Sequence, residues 1–536
     1  NTAFITVANA DGAFTFNNMK RGNYTVEVKA IGYATISKDI AVNTAQDISL
    51  QMEESSAQLD EVVVSAQKYE ERLQKVPASI TALSERQIND YRIWNSKDIT
   101  AIVPDLYSAN PGDGRNVTSI RGITSTSYDP AVATYIDGVN QFSLDTYIPQ
   151  LFDVESIEVL RGPQGTLYGR NAMGGVINII TKKPSNSFNA FAELNFGNYG
   201  QQRFSAGIKA PLIKNKLFFG AAGLYTKLDG FYTNEFNNSK FDKQHNAAGN
   251  YYLKYIAGER WFITLNFKHT ANRNNGAFPL VQGIEDAFLK PFMVNQDAVT
   301  QLVDNSINTS LVINHAGSNI NFNSQTAWQS NYRYYDKPID GDFSPIDGIT
   351  IINNYGSKWN NVKVFTQELK FASPASSVSK LKWTTGAYFY LQNNPNKQAV
   401  HFGEDAIFVG SPDINYAIIN TTKGKNAGAA LYGQFTYSIS NVLRLTAGLR
   451  YDYEHKKLSA LGEYKPDESP GPIFETRPDT SATATYSAVS PMLSFAYDLN
   501  DKSNLYVSYN RGFRTGGLTQ LGADPSQPPL YQYKPE

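Results

Sequence analysis

The residues able to do covalent or metal chemistry are few and poorly spaced for it. Histidine occurs five times, as His245, His269, His315, His401 and His455. None of these shows H-E-x-x-H or helical i,i+4 spacing, so no zinc hydrolase signature is present. The chain has no cysteine, which excludes a disulfide framework, a thiolate metal site and a cysteine nucleophile together. No G-x-S-x-G elbow occurs. Asp340-Gly341-Asp342-Phe343-Ser344 begins like a calcium loop, but Ile351 stands where an EF-hand needs its bidentate Glu, and the stretch reads as a turn. The glycines between Gly162 and Gly175 neither open a helix as G-x-G-x-x-G nor contain a Walker Gly-Lys-Ser/Thr, which argues against a phosphate cradle. An enzyme, a metal site and a cofactor are therefore not expected.

What remains is the chemistry of backbone and charge. Asp60-Glu61-Val62-Val63-Val64-Ser65-Ala66 follows the polar stretch Glu53–Gln58. Consecutive β-branched valines favour an extended conformation. An extended segment beside a linker suits strand addition to another protein's sheet edge; an ordinary buried strand is the alternative reading. The balance of 48 Lys+Arg against 49 Asp+Glu offers nothing to a polyanion, so no nucleic-acid partner is expected. Aromatics at 13% with charged residues at only 18% suggest many amphipathic strands. No apolar run approaches the ~18 residues of a transmembrane helix, although a β-barrel crosses a membrane with a far weaker hydropathy trace.

Three regions differ in pattern. Near the N-terminus, Asp11-Gly12 between Phe4–Val7 and Phe14–Phe16 signals a hairpin. Tyr24–Val28, then Ile40, Val42, Ile48, Leu50 and Met52, continue as short strands of a small β-sandwich. From Lys68 to Pro184 the pattern is α+β. Val76–Thr81 is a strand, and Ser84 caps a helix with Glu85 and Gln87 in its first turn. Ser96–Ile102 reads as a second helix stopped by Pro104. Ser119–Ile123 and Thr134–Val139 are strands ending in glycine turns, and Asp153–Arg161 leads through the glycine-rich turns to a last strand.

After Pro184, alternation takes over. Leu443, Leu445, Ala447, Leu449, Tyr451 and Tyr453 form one face, and Arg444, Thr446, Gly448, Arg450 and Asp452 the other. Strands of ~9–11 residues with one apolar and one polar face fit a transmembrane barrel. Tight turns fall at Asn215-Lys216, Ala257–Glu259, Ala316–Ser318 and Asn500–Lys502. Long loops are expected at about 228–245, 271–307, 332–361, 393–427 and 455–485. About thirteen strands precede Glu536, an odd number that does not close as bacterial barrels do.

The stretch from Asp153 to Pro184 is similar, almost residue for residue, to the end of the plug domain of TonB-dependent outer-membrane receptors. The match extends back over about residues 60–184 through Ser119–Ile123 and Tyr135–Val139. The pattern DGxFxF, GxYxxxV and IGY near the N-terminus resembles a carboxypeptidase-regulatory-like domain. Arg511–Gly517 followed by Tyr533–Glu536 resembles a mid-barrel landmark of iron-complex receptors. The resemblance implies a mostly β fold: a transmembrane antiparallel β-barrel of the 22-stranded type around an internal α+β plug, preceded by a small β-sandwich. The expected divisions are 1–53 for an N-terminally incomplete regulatory-like domain, 54–67 for the linker, 68–184 for the plug and 185–536 for a C-terminally incomplete barrel. With ~22 strands in such transporters, eight or nine would follow Glu536.

Residues 60–66 (Asp60, Glu61, Val62, Val63, Val64, Ser65 and Ala66) resemble a TonB box, which implies a TonB-type energy-transducing protein of the inner membrane as partner. Glu158, Arg161 and Arg170 match positions that make charged contacts between plug and barrel wall. Such pairs in a wet lumen would be worth only ~0–1 kcal/mol each. The upward loops would be about Ala109–Asn116, Thr124–Asp129 and Phe142–Tyr147, with Arg115, Tyr128, Asp129 and Tyr147 as candidate ligand contacts. The implied function is active import of a scarce ligand, a ferric siderophore first, with cobalamin, haem or an oligosaccharide as alternatives. A passive receptor or adhesin barrel is the rival of another class. The implied location is the outer membrane of a Gram-negative bacterium, with a monomeric barrel in lipid and the N-terminal domain in the periplasm.

Overall fold

The computed structural model describes residues 71–536 apart from 111, 113–114, 126–128, 143–149, 282, 375–376, 378, 501–502 and 520–529, and, before residue 71, residues 6, 8, 12–17, 19–28, 36–52, 63–64 and 68. It divides into two units, Asn1–Val63 and Val64–Glu536. In the first, strand β1 (Gly22–Val28) pairs antiparallel with β2 (Ile36–Val42). The expected strand at Phe14–Phe16 makes no strand pairing among the described residues; the two rings meet edge-on at 5.9 Å. Most of Phe4–Val7 lies outside the described residues.

The second unit opens with α+β structure. β3 (Ser79–Ser84) runs into helix α1 (Glu85–Asp90) through a capping box: the Gln87 amide donates to the Ser84 hydroxyl, and the Gln87 side chain accepts from the Ser84 backbone. That satisfies amides the first turn would leave orphaned. The helix expected over Ser96–Ile102 is instead a single 3-10 turn, Asp98–Ala101. Asp98 accepts from the amides of Trp94 and Asn95, so the carboxylate organises a turn where a Ser96 cap was expected.

Next come β4 (Leu106–Ala109), β5 (Val117–Ile120), β6 (Val132–Ile136), β7 (Val139–Gln141), β8 (Val154–Arg161), the one-turn helix α2 (Gly165–Tyr168) and β9 (Gly175–Thr181). One sheet has the order β3-β8-β9-β6-β7, with β9 and β6 parallel and the other neighbours antiparallel. Leu83, Ile88, Ile99, Ile120, Ile157, Val159 and Ile177 pack into its core. The turn before β7 needs positive φ at Asp137 and Gly138, and the one before β8 needs it at Asp153.

Thirteen strands follow in chain order, each antiparallel to its neighbour. They are β10 (Asn189–Phe196), β11 (Gln202–Ile213), β12 (Leu217–Leu228), β13 (Gln244–Ile256), β14 (Trp261–Asn275), β15 (Gln301–Ala316) and β16 (Asn321–Tyr335). The remainder are β17 (Asn361–Ala372), β18 (Leu381–Phe402), β19 (Tyr416–Ser438), β20 (Leu443–Pro466), β21 (Phe474–Asn500) and β22 (Ser503–Asn510). The sheet curves around the α+β unit, and among the described residues its edge strands β10 and β22 do not pair with each other.

Period two sorts the side chains. Leu449, Tyr451 and Tyr453 are about half-exposed on the outside, while Arg450, Asp452 and Glu454 are buried on the inside. The expected long loops at 393–427 and 455–485 are corrected. β18 and β19 pair without interruption out to Phe402↔Tyr416, and β20 and β21 pair out to Tyr464↔Phe474. These hairpins run far past the ~9–11 residues needed to span a bilayer, because continuous cross-strand pairing satisfies backbone groups in water as well as in lipid. No described helix is long and apolar enough to cross a membrane.

Adjacent residues should therefore respond oppositely to the same kind of change. Leu431 is 67% exposed on the outer face and Tyr432 beside it 3% exposed on the inner. Leu431→Arg is expected to cost about 2–4 kcal/mol of membrane-folded stability, read as a lower urea midpoint for folding into phosphatidylcholine vesicles. An unchanged midpoint would contradict the assigned lipid face.

Candidate functional site

The candidate site is the seam where the inward residues of the barrel meet the plug. Its first cluster gathers around Arg170, just after α2. The Arg170 guanidinium pairs with the Asp129 carboxylate, and its Nε lies 3.5 Å from Glu454 of β20. Lys456, two residues on and on the same inward face, donates to the other Asp129 oxygen at 3.1 Å, and Asn171 donates to Asp129 at 3.2 Å. Phe142 and Tyr390 stack on the guanidinium at 5.1 and 4.8 Å. Burial alone would raise the Asp129 carboxyl, but Lys456 and Arg170 outweigh it and hold it at about 2.

A second cluster sits beneath the plug's turns. Lys268 of β14 pairs with Asp137 at 2.7 Å and donates to Asn250 at 2.8 Å. Lys209 of β11 pairs with Asp153, whose other oxygen accepts from Asn250 at 2.9 Å. Arg203 donates to the Leu151 carbonyl at 2.7 Å, while Gln325 and Gln329 donate to the carbonyls of Asp137 and Asn140 at 2.9 and 2.7 Å. The positive-φ turns aim these acids and carbonyls at the wall.

The third contact is steric. Arg450 clamps Asp452 through bonds of 2.8–3.0 Å and lies over Gly169, where an added Cβ would come within 2.5 Å of its guanidinium carbon. Gly169 also has φ +75°. The Arg511–Gly517 segment lies across the same loop: the Asn171 amide donates to the Phe513 carbonyl at 3.0 Å, Arg514 donates to Ser125 at 2.8 Å, and Thr515 donates to Glu454. At the plug's entry, Lys68 pairs with Glu368, Tyr432 donates to Glu368 at 2.7 Å, and Arg444 donates to the Lys75 carbonyl at 2.9 Å.

The residues singled out from the sequence separate clearly. Arg170 lies in the seam and reaches Glu454. Glu158 is 1% exposed and accepts from Asn178 across the plug's own sheet at 3.0 Å. Arg161 ends β8 half-buried, its Nε without a hydrogen-bond partner among the described residues. Asp129 joins the Arg170 cluster, and Arg115 is half-buried just before β5. Tyr128 and Tyr147 lie outside the described residues, as do Asp60, Glu61, Val62, Ser65 and Ala66; Val63–Val64 form a two-residue strand.

Asp137, Asp153, Lys209 and Lys268 escaped the sequence reading. Their only signal was an acid in a turn or a base on a polar strand face. One expectation is overturned: the contacts are not wet, since the side chains of Arg170, Glu454, Lys209, Asp153 and Lys268 are each under a tenth exposed. In the outer loops, Asp340 accepts from the amides of Asp342 and Phe343, and Asp342 from that of Ile349, so this stretch spends its carboxylates on its own turn. Among the described residues no group of three or more potential metal ligands occurs.

A polar-lined barrel wall curved around a separate α+β unit defines the class of plugged outer-membrane barrels. Family models agree with it. The TonB-dependent Receptor Plug Domain matches residues 72–176, the TonB dependent receptor-like beta-barrel residues 185–536, and the CarboxypepD_reg-like domain residues 1–64. The barrel match alone covers more than half of the chain, so the chain belongs to the TonB-dependent receptor family, whose barrels lie in the outer membrane of Gram-negative bacteria.

Among relatives, the pesticin receptor of Yersinia pestis is 36% identical over 180 residues, 32% of this chain and 26% of that protein. The vitamin B12 transporter BtuB of Vibrio vulnificus is 24% identical over 384 residues, 67% of this chain and 58% of that protein. The matched stretch is thus about a quarter of the pesticin receptor's length. The solved structure of the ferric yersiniabactin uptake receptor FyuA from Yersinia pestis has the same fold: TM-score 0.73 at 21% identity, covering 86% of this chain and 68% of that one. These relatives are receptors and transporters rather than enzymes.

Arg170→Ala would leave Asp129 to Lys456 and Asn171 and Glu454 to Thr515, and is expected to cost about 1–3 kcal/mol. It should appear as protease cleavage within the plug at temperatures where the barrel still resists. Gly169→Ala, strained and in conflict with Arg450, is expected to cost about 1–3 kcal/mol by the same assay. Asp129 sets a pH limit: a depressed carboxyl contributes stability that is complete above its ordinary value of 3.8 and lost as pH falls towards 2. Plug protection should hold at neutral pH and fail below about pH 4, and Asp129→Asn should remove that step.

Proposed function

We propose that this protein imports a scarce ligand across the outer membrane, driven by a TonB-type inner-membrane protein that captures residues 60–66 by strand addition. The observation that carries this reading is the seam itself: a passive pore needs no lumen filled by a separate domain and tied to the wall by buried ion pairs. An outer membrane has no nucleotide pool, so work on the plug has to arrive as mechanical pull, and backbone pairing in an added strand suits that load. The linker after residues 1–53 would place the N-terminal domain in the periplasm, where the partner acts. The barrel is read as a monomer in lipid.

A ferric siderophore is the favoured cargo. The Arg511–Gly517 segment resembles that of iron-complex receptors, and one relative, 31% identical over 174 residues, is the catecholate siderophore receptor Fiu of Escherichia coli. Arg115, Tyr128, Asp129 and Tyr147 remain the proposed ligand contacts, although Asp129 already serves Arg170 and Lys456. Cobalamin, supported by the BtuB relative, is the second reading; haem and an oligosaccharide follow.

Deleting residues 60–66 is expected to abolish uptake while leaving ligand binding at the cell surface intact. Undiminished uptake would leave the passive receptor as the better account. Cargo is tested by quenching the fluorescence of the 33 tyrosines and 5 tryptophans in the full-length receptor. A ferric siderophore should quench saturably where cobalamin and haemin do not.

A further inference from the structure

The outer surface of the barrel carries charge that the seam does not use. On β20 the outward series Leu445, Ala447, Leu449, Tyr451, Tyr453 ends at His455 and Lys457. On β19 the outward residues Phe435, Leu431, Ala429 and Ala427 end at Lys425, and on β17 Phe371, Leu369 and Phe365 end at Lys363. All three lysines lie on the long-loop side of the apolar residues of their strands. From Leu445 to His455, ten residues at about 3.3 Å with a tilt of about 40° rise about 25 Å, the height of a barrel's apolar band. The lysines therefore stand where the outer leaflet's headgroups begin.

Register arranges two rows. Lys363 faces Asn393, Asn393 faces Lys425, and Lys425 faces Lys457. One step nearer the membrane centre, Trp328 faces Phe365, Phe365 faces Leu391, Leu391 faces Ala427, and Ala427 faces His455. These residues line an open groove of about 590 Å³. Across three strand spacings the lysines extend over about 14 Å. Among the described residues none of the three lysine side chains has an ion-pair or hydrogen-bond partner. Like charges directly opposite, as at Lys425 and Lys457, are unfavourable without a counter-charge.

A free anion would satisfy the lysines but leave the Trp328–Phe365–Leu391 floor without a use. A basic row above an apolar row, both turned to the bilayer, fits an amphiphile. A row this wide exceeds one phosphate. We propose that this groove holds a phosphorylated glycolipid of the outer leaflet, with its phosphates at Lys363, Lys425 and Lys457 and its acyl chains over Trp328, Phe365 and Leu391. This lies outside the lumen and is independent of the cargo.

The test is native mass spectrometry of the delipidated full-length receptor titrated with lipid A, with enzymatically dephosphorylated lipid A, and with inorganic phosphate as competitor. The Lys363→Ala/Lys425→Ala/Lys457→Ala variant is expected to bind lipid A about a hundredfold more weakly, whereas Lys216→Ala, in a short turn at the opposite end, should bind as the parent does. Dephosphorylated lipid should bind weakly to both. Equal binding by triple variant and parent, equal binding of the dephosphorylated lipid, or full displacement by inorganic phosphate would overturn the proposal. Heat-modifiable electrophoretic mobility reports whether the triple variant folds; if it does not, Lys425→Gln alone should weaken binding about fivefold.

Discussion

A strand that spans a bilayer has to send every second side chain inward, and inside this barrel several of those side chains are charged. Arg170 and Lys456 with Asp129 and Glu454, Lys268 with Asp137, and Lys209 with Asp153 have been drawn out of water. A buried charge without its opposite costs several kcal/mol, far more than a surface pair is worth. Lys209, Lys268 and Lys456 therefore each require a plug acid at one place and height. The glycine-rich turns, the positive-φ acids and the crossing of residues 511–517 all answer that requirement.

The same constraint bears on how a plug can move. Extracting it whole would unpair several buried charges at once, which makes rigid-body release the costly route. Its entry is held differently. Arg444 and Asn504 bind the carbonyls of Lys75 and Gln74, and Lys68 meets Glu368. The entry thus combines one buried ion pair with two side-chain bonds to backbone carbonyls.

Away from the seam, the structure is a consequence of ladder pairing. The hairpins β18–β19 and β20–β21 continue well beyond the membrane, where composition suggested loops. Polar residues on both faces look like loop from composition alone, yet a ladder already formed in the membrane extends at little cost, since each further residue gains its hydrogen bonds from a neighbour in place. The Ser84 capping box was legible because a cap involves residues three apart. The 3-10 turn at Asp98 was not, because Ser96 and Asp98 compete for overlapping amides and only packing selects between them.

Sequence by itself determined the periodic features: period-two alternation after Pro184, strand faces, strand number, and the glycine-rich passage from Asp153 to Pro184 that names the family. These are local, depending on neighbours within a few residues. Tertiary structure alone decided which charges meet. Asp129 finds Lys456 across 327 positions of sequence, and Asp137 and Asp153 find lysines on strands whose register no local pattern specifies. Pairing across a barrel is set by strand order, stagger and curvature together. So Arg170 could be singled out beforehand, while its partner Glu454 and the dryness of the seam could not.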